Sequence, residues 1–160
     1  MKPTRSEVVV GVISDTHGRL RPEALSALQG AQHILHAGDV GGPEVLEELQ
    51  AVAPVTAVRG NMDGGAWALI LPETALVVLG GARIYVLHDE QRLRFDPAQD
   101  GLDVVVSGHT HVARSERLSG VLRFNPGSAG PRRHERPVTL GRLRITGRRV
   151  EGEIVRLRVG

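Results

Sequence analysis

The chain has 160 residues, a length that favours one domain with one continuous core, and 41% of them are hydrophobic. Only 2% are aromatic and the formal net charge is +2, which argues against the basic faces and stacking rings of a nucleic-acid-binding protein. The absence of cysteine excludes disulfides and thiolate metal sites.

We predict a single domain over residues 1–160. No segment resembles a signal peptide or a membrane span, so we expect a cytoplasmic protein without a membrane partner. The C-terminal third is the basic part of the chain, and we interpret its arginines as solvated strand faces and turns rather than a nucleic-acid site. These are Arg132, Arg133, Arg136, Arg142, Arg144, Arg148 and Arg149.

The N-terminal half predicts strands that alternate with helices. Apolar, β-branched runs over 8–13, 33–36 and 55–58 are typical of strands, and helical spacing is found over 22–28 and 43–49. This β-α-β-α-β order predicts a parallel sheet with right-handed crossovers. In such sheets ligands bind beyond the carboxyl ends of the strands.

The C-terminal half predicts mainly antiparallel pairing. Glycine-containing turns separate pairs of apolar runs, which is the signal of a β-hairpin. The predicted hairpins join 75–79 to 83–87, 112–118 to 121–124, and 138–145 to 150–159, with a short helix or turn over 96–101 and a strand over 103–106. Two facing sheets with helices outside fit this order best.

Polar clusters follow the predicted strands, and together they supply ligands for two metal ions. The residues are Asp15, His17, Asp39, Asn61, His88, His109 and His111. Asp15 and His17 are two residues apart, so on an extended strand end both side chains point the same way. Asp39 has two carboxylate oxygens and can bridge two ions. Asn61 offers an amide oxygen without adding charge.

This mixture of imidazole and oxygen ligands suits two divalent ions, for which we favour manganese, with iron, nickel, zinc and cobalt as alternatives. Two ions about 3.5–4 Å apart lower the pKa of a bridging water and bind phosphate oxygens during in-line attack on phosphorus. The hydroxide is then the nucleophile, so no serine or cysteine is needed.

Each cluster alone has a structural explanation, such as a capped turn, and only their combination favours a metal centre. We interpret His33 and His36 as structural or supporting residues, and His134 as exposed. Arg59 either lies near the phosphate or forms a salt bridge at a strand end. We expect Asp63 to cap the loop after Met62 rather than to orient a ligand.

The motifs resemble those of the calcineurin-like metallophosphoesterases, and more narrowly the small bacterial and archaeal phosphodiesterases of that superfamily. The matching motifs are Ser14-Asp15-Thr16-His17-Gly18, His36-Ala37-Gly38-Asp39, Gly60-Asn61, His88, Gly108-His109-Thr110-His111 and Asn125-Pro126-Gly127-Ser128. The resemblance implies a four-layer α/β/β/α sandwich of two mixed sheets flanked by helices.

The resemblance also implies the role of each ligand. Asp15, His17 and His111 would bind the first metal, and Asn61, His88 and His109 the second, with Asp39 as the bridge. Asp39, Asn61 and His109 are the predicted catalytic residues. The expected activity is hydrolysis of a small, nucleotide-like phosphodiester, and the protein is a candidate homo-oligomer.

Two positions depart from the pattern. Met62 stands where many relatives have a histidine that protonates the leaving group, which favours substrates with good leaving groups. Asp89 follows His88 where relatives usually have glycine, which reshapes the site or repels anionic substrate. The alternatives to a phosphodiesterase are a phosphomonoesterase, a nucleotide pyrophosphohydrolase, or a non-catalytic scaffold of the same fold.

Overall fold

Two five-stranded mixed sheets face each other in a computed structural model that describes residues 6–132 and 136–159. His134 lies outside the described residues, so its predicted exposure stays a prediction. The first sheet has the order β10-β9-β1-β2-β3, and the second β4-β5-β6-β8-β7. The strands are β1 (Val8–Ile13), β2 (His33–His36), β3 (Val55–Ala57), β4 (Thr74–Leu79), β5 (Ala82–Leu87), β6 (Val104–Val106), β7 (Arg114–Leu118), β8 (Val121–Asn125), β9 (Thr139–Thr146) and β10 (Arg149–Arg156).

Helices cover the outer face of the first sheet. They are α1 (Pro22–Ala27), α2 (Pro43–Gln50) and the short α3 (Ala66–Leu69), which the sequence pattern did not predict. Proline occupies the first turn of α1 and of α2, where its missing N–H costs no hydrogen bond. None of the helices in the described part of the chain is long and apolar enough to cross a bilayer.

The predicted parallel sheet is confirmed, because β1 pairs parallel with β2 and β2 with β3. The three predicted hairpins are also present as antiparallel pairs. Strand β6 departs from the antiparallel prediction, because it runs parallel to both β5 and β8. Its short apolar run carries no signal that distinguishes parallel from antiparallel neighbours.

The main core lies between the two sheets and is built almost entirely from aliphatic side chains, with Phe124 as its fully buried aromatic ring. A second core fills the space between the first sheet and its helices. On the outer face of the second sheet the fourth layer is thin. A one-turn 3₁₀ helix (Glu90–Arg92) and a turn over 96–101 cover it, with Leu93 and Phe95 packed inward.

The fold is therefore the predicted α/β sandwich of two mixed sheets, with its outer layer reduced on one side. Because β1, β2 and β3 are parallel, their carboxyl ends meet at one edge of the first sheet. The parallel strands β5, β6 and β8 do the same in the second sheet. Those two edges carry the polar clusters.

Candidate metal centre

The predicted ligands lie in loops at the carboxyl ends of the parallel strands. Strands β1, β2 and β3 lead into the loops that carry Asp15, Asp39 and Asn61, whereas β5 and β6 lead into His88 and His109. The backbone joins the first two of these loops, since the Asp15 amide donates to the carbonyl of Gly38, next to Asp39, at 3.0 Å. Residues that are far apart in sequence therefore meet at one end of the sandwich.

The first group of ligand atoms comes from Asp15, His17 and His111. The Oδ1 atom of Asp15 lies 3.3 Å from Nε2 of His111 and 4.0 Å from Nε2 of His17. One ligand atom from each of the three residues can be chosen so that all lie within 4.8 Å of one another. Two donor atoms that are each about 2.1 Å from one ion lie about 3–4 Å apart, so this group has the spacing of a metal site.

The second group comes from Asp39, Asn61, His88 and His109. The Nε2 atom of His88 lies 3.3 Å from Oδ2 of Asp39, and Nδ1 of His109 lies 3.1 Å from Oδ1 of Asn61. The ring centroids of His88 and His109 lie 5.1 Å apart, so the Asp39–His88 pair and the Asn61–His109 pair are neighbours. All seven predicted ligands are thus brought together, although their metal-binding roles stay predictions.

Each buried carboxylate has one oxygen that is fixed by hydrogen bonds. The Oδ2 atom of Asp15 accepts from the Ser14 hydroxyl at 2.8 Å and from the His109 amide at 3.1 Å. The Oδ1 atom of Asp39 accepts from the Met62 amide at 2.8 Å. These bonds orient the remaining oxygen of each carboxylate toward the imidazoles.

The two remaining oxygens lie between the two halves of the site. The Oδ1 atom of Asp15 is 4.0 Å from Nε2 of both His17 and His88. The Oδ2 atom of Asp39 is 3.9 Å from Nε2 of His17 and 3.3 Å from Nε2 of His88. The Oδ2 atom of Asp39 therefore faces both imidazoles, whereas its Oδ1 atom accepts the Met62 amide hydrogen bond. The bridging role of Asp39 stays a prediction.

The backbone is left-handed at most of the predicted ligands. Among the described non-glycine residues, positive φ angles occur at Ser119, in a hairpin turn, and otherwise only at predicted ligands. Those are Asp15 (57°), His17 (48°), Asp39 (54°), His109 (72°) and His111 (64°). Each such residue costs about 1–2 kcal/mol, and strain of this kind concentrates at functional sites. The extended-strand explanation for Asp15 and His17 is therefore wrong, because left-handed turns aim them instead.

Two glycines allow the ligand loops to approach closely. A methyl group on Gly60 would overlap the amide nitrogen and the Oδ1 atom of Asp39. A methyl group on Gly108 would overlap the Ser14 hydroxyl and come within 2.8 Å of Oδ2 of Asp15. Glycine at these positions is a steric requirement of the site.

Two buried atoms that could each ligate a metal, Oδ1 of Asp15 and Nε2 of His17, indicate a cation site. Asp15 is fully buried, and its Oδ1 atom has no hydrogen-bond partner among the described residues; nor has Nε2 of His17. An ionised carboxylate in this state costs several kcal/mol unless an opposite charge compensates it. A divalent cation between these atoms would satisfy both, so the residues fit the metal that the sequence pattern implies.

The electrostatics favour a charged carboxylate beside an imidazole. Burial acts to raise the pKa of Asp39, but the neighbouring His88 ring, the Met62 amide and His17 outweigh it and hold this pKa below its ordinary value. Burial likewise acts to lower the pKa of His88, whereas Asp39, the Ala37 carbonyl and Asp15 outweigh it and raise it. The Nδ1 atom of His88 lies 2.7 Å from the Ala37 carbonyl oxygen. Donation to this carbonyl leaves Nε2 as the ligand atom, a common support for metal-binding histidines.

His36 supports the site without reaching it, as expected. Burial lowers the pKa of His36 to about 3, so the ring is neutral. Its Nδ1 accepts from the Gly38 amide at 3.1 Å, which leaves Nε2 to donate to Thr16 Oγ1 at 3.0 Å. The Thr16 hydroxyl donates in turn to the Val40 carbonyl at 2.7 Å. This chain of hydrogen bonds ties the loop after β1 to the loop after β2.

Asp63 links two ligand loops, a role that the sequence analysis did not favour. Its carboxylate accepts from the amides of Val40 (3.2 Å), Gly41 (3.0 Å) and Gly60 (2.9 Å). It therefore fixes the loop of Asp39 against the loop of Asn61 rather than only capping its own turn.

Asn125 holds the loop of His109 and His111, and no role for it was predicted. Its Nδ2 donates to the Gly108 carbonyl at 2.9 Å and to Thr110 Oγ1 at 3.1 Å. The Ser128 hydroxyl donates to the Asp15 carbonyl at 3.2 Å. The Asn125-Pro126-Gly127-Ser128 motif was the available signal, but its contacts depend on β8 lying beside β6.

A cleft of about 820 Å³ opens onto Asn61, His88 and His109. Arg59 lines this cleft and forms a salt bridge with Glu73 at 3.1 Å, so the salt-bridge alternative is confirmed, whereas its proximity to the phosphate stays a prediction. Asp89 lines it as well, with Oδ2 3.9 Å from Nε2 of His109. The His109 side chain is 43% exposed, so it is a candidate ligand that a substrate in the cleft would contact.

The family is settled by sequence comparison. The sequence profile of the calcineurin-like phosphoesterase superfamily domain matches residues 8–148. The chain belongs to the calcineurin-like phosphoesterase superfamily. The resemblance drawn from the motifs is therefore confirmed, and the candidate metal centre occupies the part of the chain that the superfamily profile covers.

Within the superfamily, this chain is similar to small prokaryotic members. A probable metallophosphoesterase of Methanothermobacter thermautotrophicus is 37% identical, and the match covers 93% of this chain and 92% of that protein. The phosphodiesterase YfcE of Escherichia coli K12 is 35% identical, with 81% of this chain and 84% of that protein covered. These relatives support a hydrolase of phosphoesters.

The fold is shared with a solved structure that carries a different kind of name. Vacuolar protein sorting 29 from Cryptosporidium parvum superposes with a TM-score of 0.81 at 24% identity, covering 95% of this chain and 92% of that chain. Identity at this level shows the fold alone.

Proposed function

We propose that this chain is a phosphodiesterase that depends on two divalent metal ions held by Asp15, His17, Asp39, Asn61, His88, His109 and His111. The observation that carries this proposal is the buried Asp15 Oδ1, which faces three imidazoles and has no hydrogen-bond partner among the described residues. Membership of the calcineurin-like superfamily and the similarity to YfcE support the phosphoester chemistry.

The seven residues divide into two sets with one carboxylate between them. Asp15, His17 and His111 would hold the first ion, Asn61, His88 and His109 would hold the second, and Asp39 would serve both. Two bound ions would supply Lewis-acid chemistry, which lowers the pKa of a water and offsets negative charge on phosphate oxygens. Manganese is the ion we favour, with iron, nickel, zinc and cobalt as alternatives, since imidazole and carboxylate ligands suit all of them.

The chain's own residues restrict the leaving group. Met62 is 69% exposed, and its thioether cannot donate a proton at neutral pH. Its backbone amide is already used to orient Asp39. The leaving oxygen therefore departs without a proton from position 62, which favours aryl or otherwise activated diesters.

The substrate is a small phosphoester, and the cleft has the size of pockets that bind nucleotide-sized ligands. Four described arginines of the C-terminal third are paired with carboxylates, namely Arg142 with Glu153, Arg144 with Glu7, Arg148 with Asp103 and Arg149 with Glu151. This pairing favours solvated strand faces over a nucleic-acid site. Cytoplasmic location and homo-oligomer formation stay predictions.

A second candidate function is a non-catalytic scaffold, because the fold is shared with vacuolar protein sorting 29. A scaffold has no need of a complete ligand set. All seven ligand positions are filled in this chain, and left-handed strain is retained at five of them. We therefore favour the enzyme.

The test is hydrolysis by the purified chain after chelation and reloading with Mn²⁺. We expect turnover of bis(p-nitrophenyl) phosphate, slower turnover of p-nitrophenyl phosphate, and none after chelation. Asp39→Asn should abolish turnover, whereas Asp100→Asn, which changes an exposed turn residue, should not.

Four other results would overturn the proposal. Faster hydrolysis of the monoester indicates a phosphomonoesterase. Hydrolysis confined to dinucleotide pyrophosphates indicates a pyrophosphohydrolase. Full metal occupancy without any turnover, or failure to bind metal, supports the scaffold.

A further inference from the structure

Three arginines line the cleft beside the candidate metal centre, although none of them is a candidate metal ligand. Arg59, Arg92 and Arg94 line it together with Asn61 and His109. Arg59 is neutralised by its salt bridge with Glu73. Arg92 and Arg94 form no salt bridge with any residue in 6–132 or 136–159.

Local backbone geometry directs these two arginines outward. The 3₁₀ helix ends at Arg92, and Leu93 is extended, with φ −65° and ψ 125°. In an extended segment alternate residues share a face. Leu93 and Phe95 accordingly pack against the second sheet, while Arg92 and Arg94 are exposed on the cleft side.

The segment that carries the arginines is anchored to the second sheet. Glu90 Oε1 binds Arg123 at 2.8 Å, and Glu90 Oε2 binds Arg114 at 2.9 Å. The Nη1 atom of Arg94 donates to the Gln91 carbonyl at 3.0 Å. The nearby carboxylate of Glu90 is therefore already paired, so it does not neutralise the guanidinium groups of Arg92 and Arg94.

The rest of the cleft wall has an apolar part, formed by Tyr85 and Leu87, and a negatively charged part at Asp89. Tyr85 and Leu87 supply apolar surface, and Tyr85 is held by edge-to-face packing on Phe95, with centroids 5.1 Å apart. The Asp89 carboxylate lies near His109, and its Oδ1 atom accepts a hydrogen bond from the Gln91 amide at 3.0 Å. Its negative charge disfavours a second anion beside His109, so an additional anionic group would bind at Arg92 and Arg94.

We propose, on the basis of the proposed function, that the substrate is a phosphodiester with a second phosphate group, which Arg92 and Arg94 bind while the planar part of the substrate lies against Tyr85. Guanidinium groups match phosphate oxygens in geometry and form charge-assisted hydrogen bonds with them. The cleft therefore selects a phosphorylated nucleotide diester over a simple aryl diester.

The test compares two substrates that share the scissile bond and the leaving group. They are thymidine 5′-(p-nitrophenyl phosphate) and the same compound with an added 3′-phosphate. With the Mn²⁺-loaded enzyme, we expect kcat/KM to be at least about tenfold higher for the phosphorylated compound, mainly through KM, as charge-assisted hydrogen bonds imply. In Arg92→Gln/Arg94→Gln this ratio should fall to near one.

A matched control removes the same charge elsewhere. Arg144→Gln/Arg149→Gln changes two arginines that do not line the cleft, and it should keep both the ratio and the basal activity. Thermal unfolding checks that both double variants fold. A wild-type ratio near one, or a ratio that the Arg92/Arg94 variant retains, overturns this inference and leaves the phosphodiesterase intact. Hydrolysis of neither compound, nor of bis(p-nitrophenyl) phosphate, overturns the proposed function itself.

Discussion

The Nδ1 atom of His109 lies 3.1 Å from the Oδ1 atom of Asn61, although 48 residues separate the two in the chain. This is the spacing of two adjacent ligands of one ion, and it also fits a ring N–H that donates to the amide oxygen when no ion is bound. The same pair can therefore exist with and without metal, which makes it a good place to perturb the site.

We expect His109→Asn to abolish turnover of an aryl phosphodiester, because the second ion loses a ligand that also faces the cleft. The fall in kcat should be at least about a hundredfold, in the range found when a catalytic electrostatic contact is removed. His33→Asn is the matched control, since His33 pairs with Thr56 away from the site. Full activity in His109→Asn, with the fold checked by circular dichroism, would reject the assigned site.

Strain at His109 gives a prediction about stability. The φ angle of 72° suits glycine and disfavours every residue with a Cβ atom. His109→Gly should therefore be more stable than His109→Ala by about 1 kcal/mol in the metal-free protein, the reverse of the usual order. Urea unfolding of the two variants measures the difference. A more stable alanine variant would show that the backbone is not held in this conformation.

Asp15→Asn should change stability in opposite directions with and without metal. Without metal, the substitution removes a buried negative charge that lacks a hydrogen-bond partner at Oδ1, so the free energy of unfolding should rise. With metal, the wild type should gain about 2.7 kcal/mol for each site at a hundredfold excess over Kd, and the variant should lose most of the gain from the first site, to which Asp15 is assigned. Unfolding curves recorded with EDTA and with Mn²⁺ measure both effects. Equal gains in the two proteins would exclude Asp15 as a ligand.

The neutral, buried His36 should make the metal-free protein sensitive to acid. Its pKa is lowered to about 3 in the folded protein, against 6.5 as the ordinary value. Between these values the unfolded chain binds the proton and the folded protein does not, so stability falls as the pH decreases from 6.5 toward 3. The contribution of His36 to this slope is at most about 1.4 kcal/mol per pH unit.

His36→Gln should reduce that slope, because glutamine has no titrating group. His33→Gln is the comparison, since His33 is only partly buried and its replacement should change the slope less. Identical slopes for the wild type and His36→Gln would mean that the ring is protonated in the folded state.

Much of the site could be predicted because parallel strands place their carboxyl ends together. Asp15, Asp39 and Asn61 follow consecutive strands of a β-α-β-α-β pattern, so their convergence follows from topology alone. His88, His109 and His111 were predicted from polar clusters that follow further apolar runs, and the family motifs then matched them. The strands themselves were recognised from apolar, β-branched runs.

The remaining features depend on contacts between distant parts of the chain. The parallel pairing of β6 with β8 has no local signal, yet it brings Asn125 to the loop of His109. The same holds for Asp63, whose acceptor role requires three amides from two loops. Left-handed backbone at Asp15 was not predictable either, because a positive φ is uncommon for any residue other than glycine and tertiary contacts impose it here.

The central claim is that two ions bind in the two residue groups. Diffraction from crystals grown with Mn²⁺, recorded on the high-energy side of the manganese absorption edge, tests it directly. We predict two anomalous peaks about 3.5–4 Å apart, one among Asp15, His17 and His111 and the other among Asn61, His88 and His109, with Asp39 between them. No peak, a single peak, or peaks away from these side chains would contradict the account.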